Sequence, residues 1–95
     1  MSGKKQLEFT ERAFRNIAAA EEFIAKDNPI AARKVVEAIY KTAEKLESFP
    51  ELGRPGRVPG TRELPLEKHP YTIAYRVRLS KVVVYGVLHQ SRQYP

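Results

Sequence analysis

The chain has 95 residues, no cysteine, two histidines and a formal net charge of +6. That length builds one domain with a single core and leaves no room for a cleft between domains, so any ligand has to bind on a face. A disulfide framework, a thiolate metal site and a histidine zinc cage are all excluded, and no apolar run approaches the roughly 20 residues that span a bilayer. We expect one domain over 1–95, no metal, no cofactor, no membrane contact and a cytoplasmic location.

The charge is unevenly placed. Residues 1–53 hold nine Lys/Arg and nine Asp/Glu, whereas residues 54–95 hold eight Lys/Arg against only Glu63 and Glu67. The whole excess therefore falls in the second half, and a basic face of that kind attracts nucleic acid, a ribosome or an acidic protein without choosing among them.

In chain order, 4–9 alternates polar Gln6 and Glu8 with Leu7 and Phe9, a short strand at a sheet edge. Thr10 stands at an N-cap position with Glu11 in the first turn. Phe14, Ile17, Ala18, Ala20, Ile24 and Ala25 then form the apolar stripe of a first helix. Asn28 and Pro29 read as N-cap and N1 of a second helix reaching about Phe49. Its stripe is Ala32, Val35, Val36, Ile39, Tyr40, Ala43, Leu46 and Phe49, with Glu37 and Lys41 as an i,i+4 pair on the wet side. Two antiparallel helices with one long apolar face need a sheet beneath them.

Pro50 stops the second helix, and 51–60 is dense in Pro and Gly: an ordered crossover anchored by Leu52 and Val58, with Arg54 and Arg57 exposed. A strand follows over 61–66, short or at an edge because of Pro65. From 71 to 79, Tyr71, Ile73, Tyr75, Val77 and Leu79 alternate with Thr72, Ala74, Arg76 and Arg78, which predicts one packed face and one partly wet face carrying the two arginines. The run 82–88, almost unbroken and rich in valine, predicts a central strand buried on both sides. The order is β-α-α-β-β-β: an α+β fold with a helical hairpin on one face of a four-stranded, mainly antiparallel sheet.

Chemistry-bearing residues cluster in the second half. His89, Arg76 and Tyr94 are the types that a metal-independent phosphodiester cleavage uses for proton transfer and phosphate stabilisation. Each has an ordinary structural role as well, since arginine beside tyrosine on a strand is usually solvated and a terminal histidine is usually packed. Gly53, Gly56 and Gly60 precede a strand and not a helix, so they form no phosphate-binding loop.

Four segments together are distinctive: Phe49-Pro-Glu-Leu-Gly-Arg-Pro-Gly-Arg57, Gly60-Thr-Arg-Glu-Leu64, Pro70-Tyr-Thr-Ile-Ala-Tyr-Arg-Val77, and Val87-Leu-His-Gln-Ser-Arg92 with Tyr94-Pro95. With the Asn28-Pro29 helix start, they make the chain resemble the RelE/ParE superfamily of toxins from bacterial type II toxin–antitoxin modules. The resemblance implies a cytoplasmic toxin neutralised by an acidic antitoxin, with DNA bound only indirectly, through that antitoxin. In the ribosome-dependent mRNA endonucleases of the superfamily, cations stand on the central sheet. Here Glu63, Pro65 and Thr72 occupy those positions, and none supplies the electrostatic clamp such a reaction needs.

The Val-Leu-His-Gln-Ser-Arg ending and the Gly-Arg-Pro-Gly-Arg loop look more like the ParE branch, which implies poisoning of DNA gyrase by binding. On that reading Arg54, Arg57, Arg62, Arg76, Arg78, His89 and Arg92 form a surface for the target or the antitoxin. The alternatives are a nuclease using Arg76, His89, Arg92 and Tyr94, and a non-toxic co-repressor that only binds antitoxin.

Overall fold

The computed structural model describes residues 4–91. The elements are β1 (Gln6–Phe9), α1 (Glu11–Ala25), α2 (Pro29–Ser48), β2 (Arg54–Pro55), β3 (Arg62–Pro65), β4 (Tyr71–Val77) and β5 (Lys81–His89). They form a five-stranded sheet in the order β1-β5-β4-β3-β2, with β1 parallel to β5 and the remaining pairs antiparallel. The expected class holds, and the strand count rises from four to five. The addition is the two-residue β2, which pairs Arg54 with Glu63 and Pro55 with Arg62. A pairing that short leaves no periodicity in the sequence.

The helix starts follow their caps. Thr10 Oγ1 accepts the Ala13 N–H at 3.1 Å and Asn28 Oδ1 accepts the Ala31 N–H at 3.0 Å, each satisfying a donor that the first turn leaves without a partner. Pro29 opens α2, where its missing N–H costs nothing. The hairpin covers one face of the sheet, where Ile17, Ile39 and Leu46 pack with Tyr71, Ile73, Tyr75, Val82, Val84 and Val87. Each large side chain fully buried there contributes about 1.5–3 kcal/mol.

Several sequence expectations need correction. Phe14 and Phe49, placed in the buried stripes, are 50% and 65% exposed, and Ala18 is exposed. Phe14 and Ala18 lie on the flank of α1 away from the sheet, and Phe49 is the C-cap beyond the end of α2, although Phe14 still stacks on Phe9 at 5.4 Å. The i,i+4 ion pair that forms is Glu11 with Arg15, and Glu37 with Lys41 is not among the salt bridges of the described residues. Leu52 and Val58 are half exposed and do not anchor the crossover.

Two strands also differ from their patterns. β4 ends at Val77, so Leu79, expected to be packed, lies in the following turn and is 96% exposed. On the face away from the helices Thr72 and Ala74 are buried, because they are small and sit between the ladder neighbours Pro65 and Leu88, and Glu63 and Gly86. On its open face β5 is buried only at Gly86, opposite Ala74, while Val83, Tyr85 and Leu88 stay partly exposed.

A bulge between Ala74 and Tyr75 leaves Tyr85 as the extra residue of β5. β1 ends just there, where Thr10 N–H bonds Val84 C=O, so the upper half of β5 has no neighbouring strand on that side. Asn16 on α1 takes the place of one, its Oδ1 accepting the Val87 N–H at 3.1 Å. Sequence reasoning missed this role of Asn16.

Candidate functional site

The basic loop between α2 and β3 is held from beneath by sheet side chains. Pro50 follows α2, and its C=O accepts the Tyr75 hydroxyl at 2.8 Å. The same Tyr75 oxygen accepts the buried Gly53 N–H at 2.8 Å. From the neighbouring strand, Arg62 Nη1 donates to Gly53 C=O at 2.7 Å. Further on, Gly56 N–H bonds Thr61 C=O, and both the N–H and hydroxyl of Thr61 bond Val58 C=O, closing a turn at Gly60 with φ of 82°. Glu63 Oε2 accepts the Arg57 N–H at 3.2 Å. Gly53 has to be glycine: a Cβ there would stand 2.6 Å from the Tyr75 hydroxyl and 2.9 Å from Glu63 C=O.

Burial raises the Tyr75 phenol pKa above its ordinary 10.0, the Gly53 hydrogen bond and the Arg62 charge opposing the rise and Glu51 adding to it. The hydroxyl therefore stays protonated and able to donate to Pro50. Tyr75 and Gly53 escaped notice as functional positions. The signal available was a tyrosine on the inward face of a strand, whose hydroxyl needs a partner when buried.

Where this loop meets the open end of the sheet lies a polar depression of about 250 Å³, lined by Arg54, Arg57, Glu63, Pro65, Thr72, His89 and Gln90. Glu63, Pro65 and Thr72, the three positions where cations were expected of a ribosome-dependent nuclease, are thus brought together. Glu63 is only 7% exposed. His89 Nδ1 accepts the Ser91 N–H at 3.2 Å and contacts Ser91 Oγ at 2.8 Å, while its ring meets Tyr71 edge-on at 5.1 Å. With Nδ1 accepting, a neutral ring carries its proton on Nε2.

The remaining candidates go elsewhere. Arg62 is half-buried and committed to Gly53. Arg76 lies over the Tyr85 ring at 5.7 Å. His89 pairs with Tyr71, five residues along β4 from Arg76, a separation of about 17 Å at strand spacing. Arg76 and His89 therefore do not share one centre. Arg78 is exposed at the β4–β5 turn. Arg92 and Tyr94 lie outside the described residues. Among the described residues no group of three or more His, Cys, Asp or Glu is placed to hold a metal, and no helix is long and apolar enough to cross a membrane.

The fold as a whole has counterparts among solved structures. Residues 7–94 match the family described as ParE toxin of type II toxin–antitoxin system, parDE. The chain belongs to the ParE toxin family. It is 39% identical over 92 residues to Y4kP of Sinorhizobium fredii, covering 97% of this chain and 95% of that one. Toxin RelE2 of Caulobacter vibrioides is 30% identical over 87 residues, with 92% and 97% covered. A solved structure of the chromosomal ParDE toxin–antitoxin system from P. aeruginosa superposes with a TM-score of 0.82 at 26% identity, over 93% of this chain and 98% of that one. Membership makes this ParE-family chain a toxin of the type II toxin–antitoxin class. In chemical terms the site gathers hydrogen-bond donors at its rim around one buried carboxylate.

Proposed function

We propose that this toxin inhibits growth by binding and poisoning DNA gyrase, with no bond made or broken by the toxin itself. The observation that carries the reading is Glu63, a carboxylate buried in the polar depression and engaged with the Arg57 N–H. A carboxylate there repels a scissile phosphate, and the adjoining Pro65 and Thr72 bring no charge to offset it. Arg54 and Arg57 stand in the lining of the depression, as befits a contact surface. The likeness to a ParDE structure supports the same branch.

In this reading the partner in the resting cell is an acidic antitoxin, and the complex resides in the cytoplasm. An antitoxin helix lies on the flank where Phe9, Phe14 and Tyr40 stack, and an extended segment pairs with a free sheet edge. The β1 edge suits such pairing. Gln6 and Thr10 N–H groups turn toward β5, so the intervening Leu7 and Phe9 backbone groups turn outward. Pro65 removes a donor from the opposite edge.

Controlled expression of the chain without antitoxin, reading plasmid supercoiling and translation side by side, tests the proposal. Lost supercoiling with DNA-damage signalling is expected. Cut mRNA with gyrase unaffected refutes it and favours the ribosome-dependent endonuclease, a second reading that the identity to toxin RelE2 and the place of His89 at the depression keep in view. On that second reading His89→Ala or Arg92→Ala abolishes cleavage.

A further inference from the structure

We propose that Leu79, at the tip of the β4–β5 turn, is an anchor side chain that this toxin inserts into an apolar, carboxylate-rimmed pocket of folded gyrase. This deepens the gyrase reading and rests on it. Leu79 is 96% exposed, whereas the other large hydrophobics at the surface, Ile30, Phe49 and Phe23 among them, keep about a third or more of their area covered. Isolated surface leucines are ordinary. The backbone beneath this one is not.

A tight turn between antiparallel strands normally needs a positive φ, and hence Gly or Asn, yet neither Leu79 nor Ser80 has one. The turn is held from outside instead. Lys5 Nζ donates to Arg78 C=O at 2.9 Å and to Leu79 C=O at 2.7 Å. Gln6 N–H donates to Ser80 C=O at 3.0 Å, and Arg78 N–H to Lys81 C=O at 2.7 Å. Every carbonyl from 78 to 81 is thereby bonded, and Lys5 is itself tied to α2 through its N–H on Glu47 C=O at 2.9 Å. A side chain carried on backbone that is already ordered docks at a lower entropy cost.

Shape and charge select the partner. An antitoxin tail orders on a toxin by laying helices and strands into grooves or along edges, whereas a convex knob needs a pocket already folded in its partner. Strand pairing along β1 also stops short of the tip, because the Lys5 N–H is spent on Glu47. Around Leu79 stand Lys4, Lys5, Arg78 and Lys81 against Glu8 and Glu47, an excess of cations that complements carboxylates at a pocket rim. Those two carboxylates, and the single leucine, argue against insertion into an anionic bilayer. The tip lies about 20 Å along β4 from Thr72 in the polar depression, so it is a second contact, separate from that one.

The experiment titrates the purified full chain into a supercoiling assay with gyrase holoenzyme, and scores co-purification with tagged cognate antitoxin alongside. Leu79→Met, Leu79→Ala, Leu79→Asp and Arg78→Ala are compared with the parent, and all keep its melting temperature because the positions are exposed. Leu79→Met inhibits at the parent's concentration. Leu79→Ala needs about tenfold more protein, the order expected when most of a leucine side chain is no longer buried. Leu79→Asp sets a carboxylate against the rim and fails at about a hundredfold excess, and Arg78→Ala costs about two- to fivefold, as a rim charge does. All four variants co-purify with antitoxin as the parent does.

Inhibition by Leu79→Ala or Leu79→Asp at the parent's concentration overturns the anchor and leaves the gyrase reading standing. Loss of antitoxin binding by Leu79→Asp gives the knob to the antitoxin and overturns the proposal, as does Leu79-dependent sedimentation of the chain with phosphatidylglycerol vesicles. A parent chain that leaves supercoiling intact overturns the gyrase reading and the anchor together.

Discussion

Tyr75→Phe removes one oxygen atom and with it the attachment of the basic loop to the sheet. Tyr75 is fully buried, and its hydroxyl makes two bonds of 2.8 Å, accepting from Gly53 N–H and donating to Pro50 C=O. The Pro50 carbonyl is on a half-exposed residue and can turn to water, so its loss is small. Gly53 is buried, and its N–H is left with no acceptor, a cost of about 1–3 kcal/mol. The cavity left by one hydroxyl is too small to hold a replacement water, so the penalty stays near the middle of that range, about 2 kcal/mol. In a domain of this size that lowers the melting temperature by about 8–16 °C. Urea unfolding followed by circular dichroism measures the free energy, and hydrogen exchange at Gly53 locates it. A variant with unchanged midpoint and unchanged Gly53 protection would refute the account of the loop as held by this hydroxyl.

Gly53→Ala should be worse than Tyr75→Phe, costing about 3 kcal/mol or more, because the added methyl meets the Tyr75 hydroxyl and the Glu63 backbone with neither able to retreat; thermal unfolding decides this. Asn16→Leu should cost about 1–3 kcal/mol by orphaning the Val87 N–H, and hydrogen exchange at Val87 should rise, whereas Asn16→Asp keeps an acceptor and most of the stability. Stability should fall at alkaline pH in part through Tyr75. Its phenol pKa is raised in the fold by burial, so the neutral form is favoured, and that contribution is intact below the ordinary 10.0 and lost as pH rises through the folded value. Urea midpoints at about pH 9 and about pH 11 should therefore drop less for Tyr75→Phe than for the parent chain.

The parts legible in the sequence are those that depend on local rules. Thr10, Asn28 and Pro29 mark helix starts because a first turn always leaves N–H groups wanting acceptors, and these side chains or their absence meet that need wherever the helix packs. Apolar period assigned Ile17, Ile39, Leu46, Ile73 and Val84 to the core. Failures arose where the neighbour decides: Phe14 and Leu79 continue their patterns, and only the placing of Phe14 on the flank of α1 away from the sheet and the end of β4 expose them. At the depression, Arg54, Arg57, His89 and the three departures Glu63, Pro65 and Thr72 were named from the sequence, but their convergence depends on register, Glu63 facing Ala74 and Pro65 facing Thr72. Arg62 and Arg76 resembled Arg54 in the sequence because composition does not record which guanidinium already has a partner.

That distinction changes what a charge of +6 means. Long-range attraction counts every cation, and the excess in residues 54–95 predicts a chain that is drawn to any polyanion. Short-range recognition counts only donors that are fixed in place and still unspent. Arg62 is spent on Gly53 and Arg76 covers Tyr85, while Lys81 is taken by Glu8 and Arg78 stands on an exposed turn whose Arg78 and Leu79 carbonyls accept from Lys5 Nζ. Arg54 combines an unengaged head group with a backbone secured on both sides. A toxin acting by binding gains specificity from this division, since the diffuse charge speeds encounter with acidic surfaces while the ordered loop decides which encounter persists. Added salt should then slow association of the partner far more than it speeds dissociation, whereas Arg54→Ala should act chiefly on dissociation, and surface plasmon resonance at two salt concentrations separates these rates. Equal salt sensitivity of both rates would contradict the division between steering charge and docking charge.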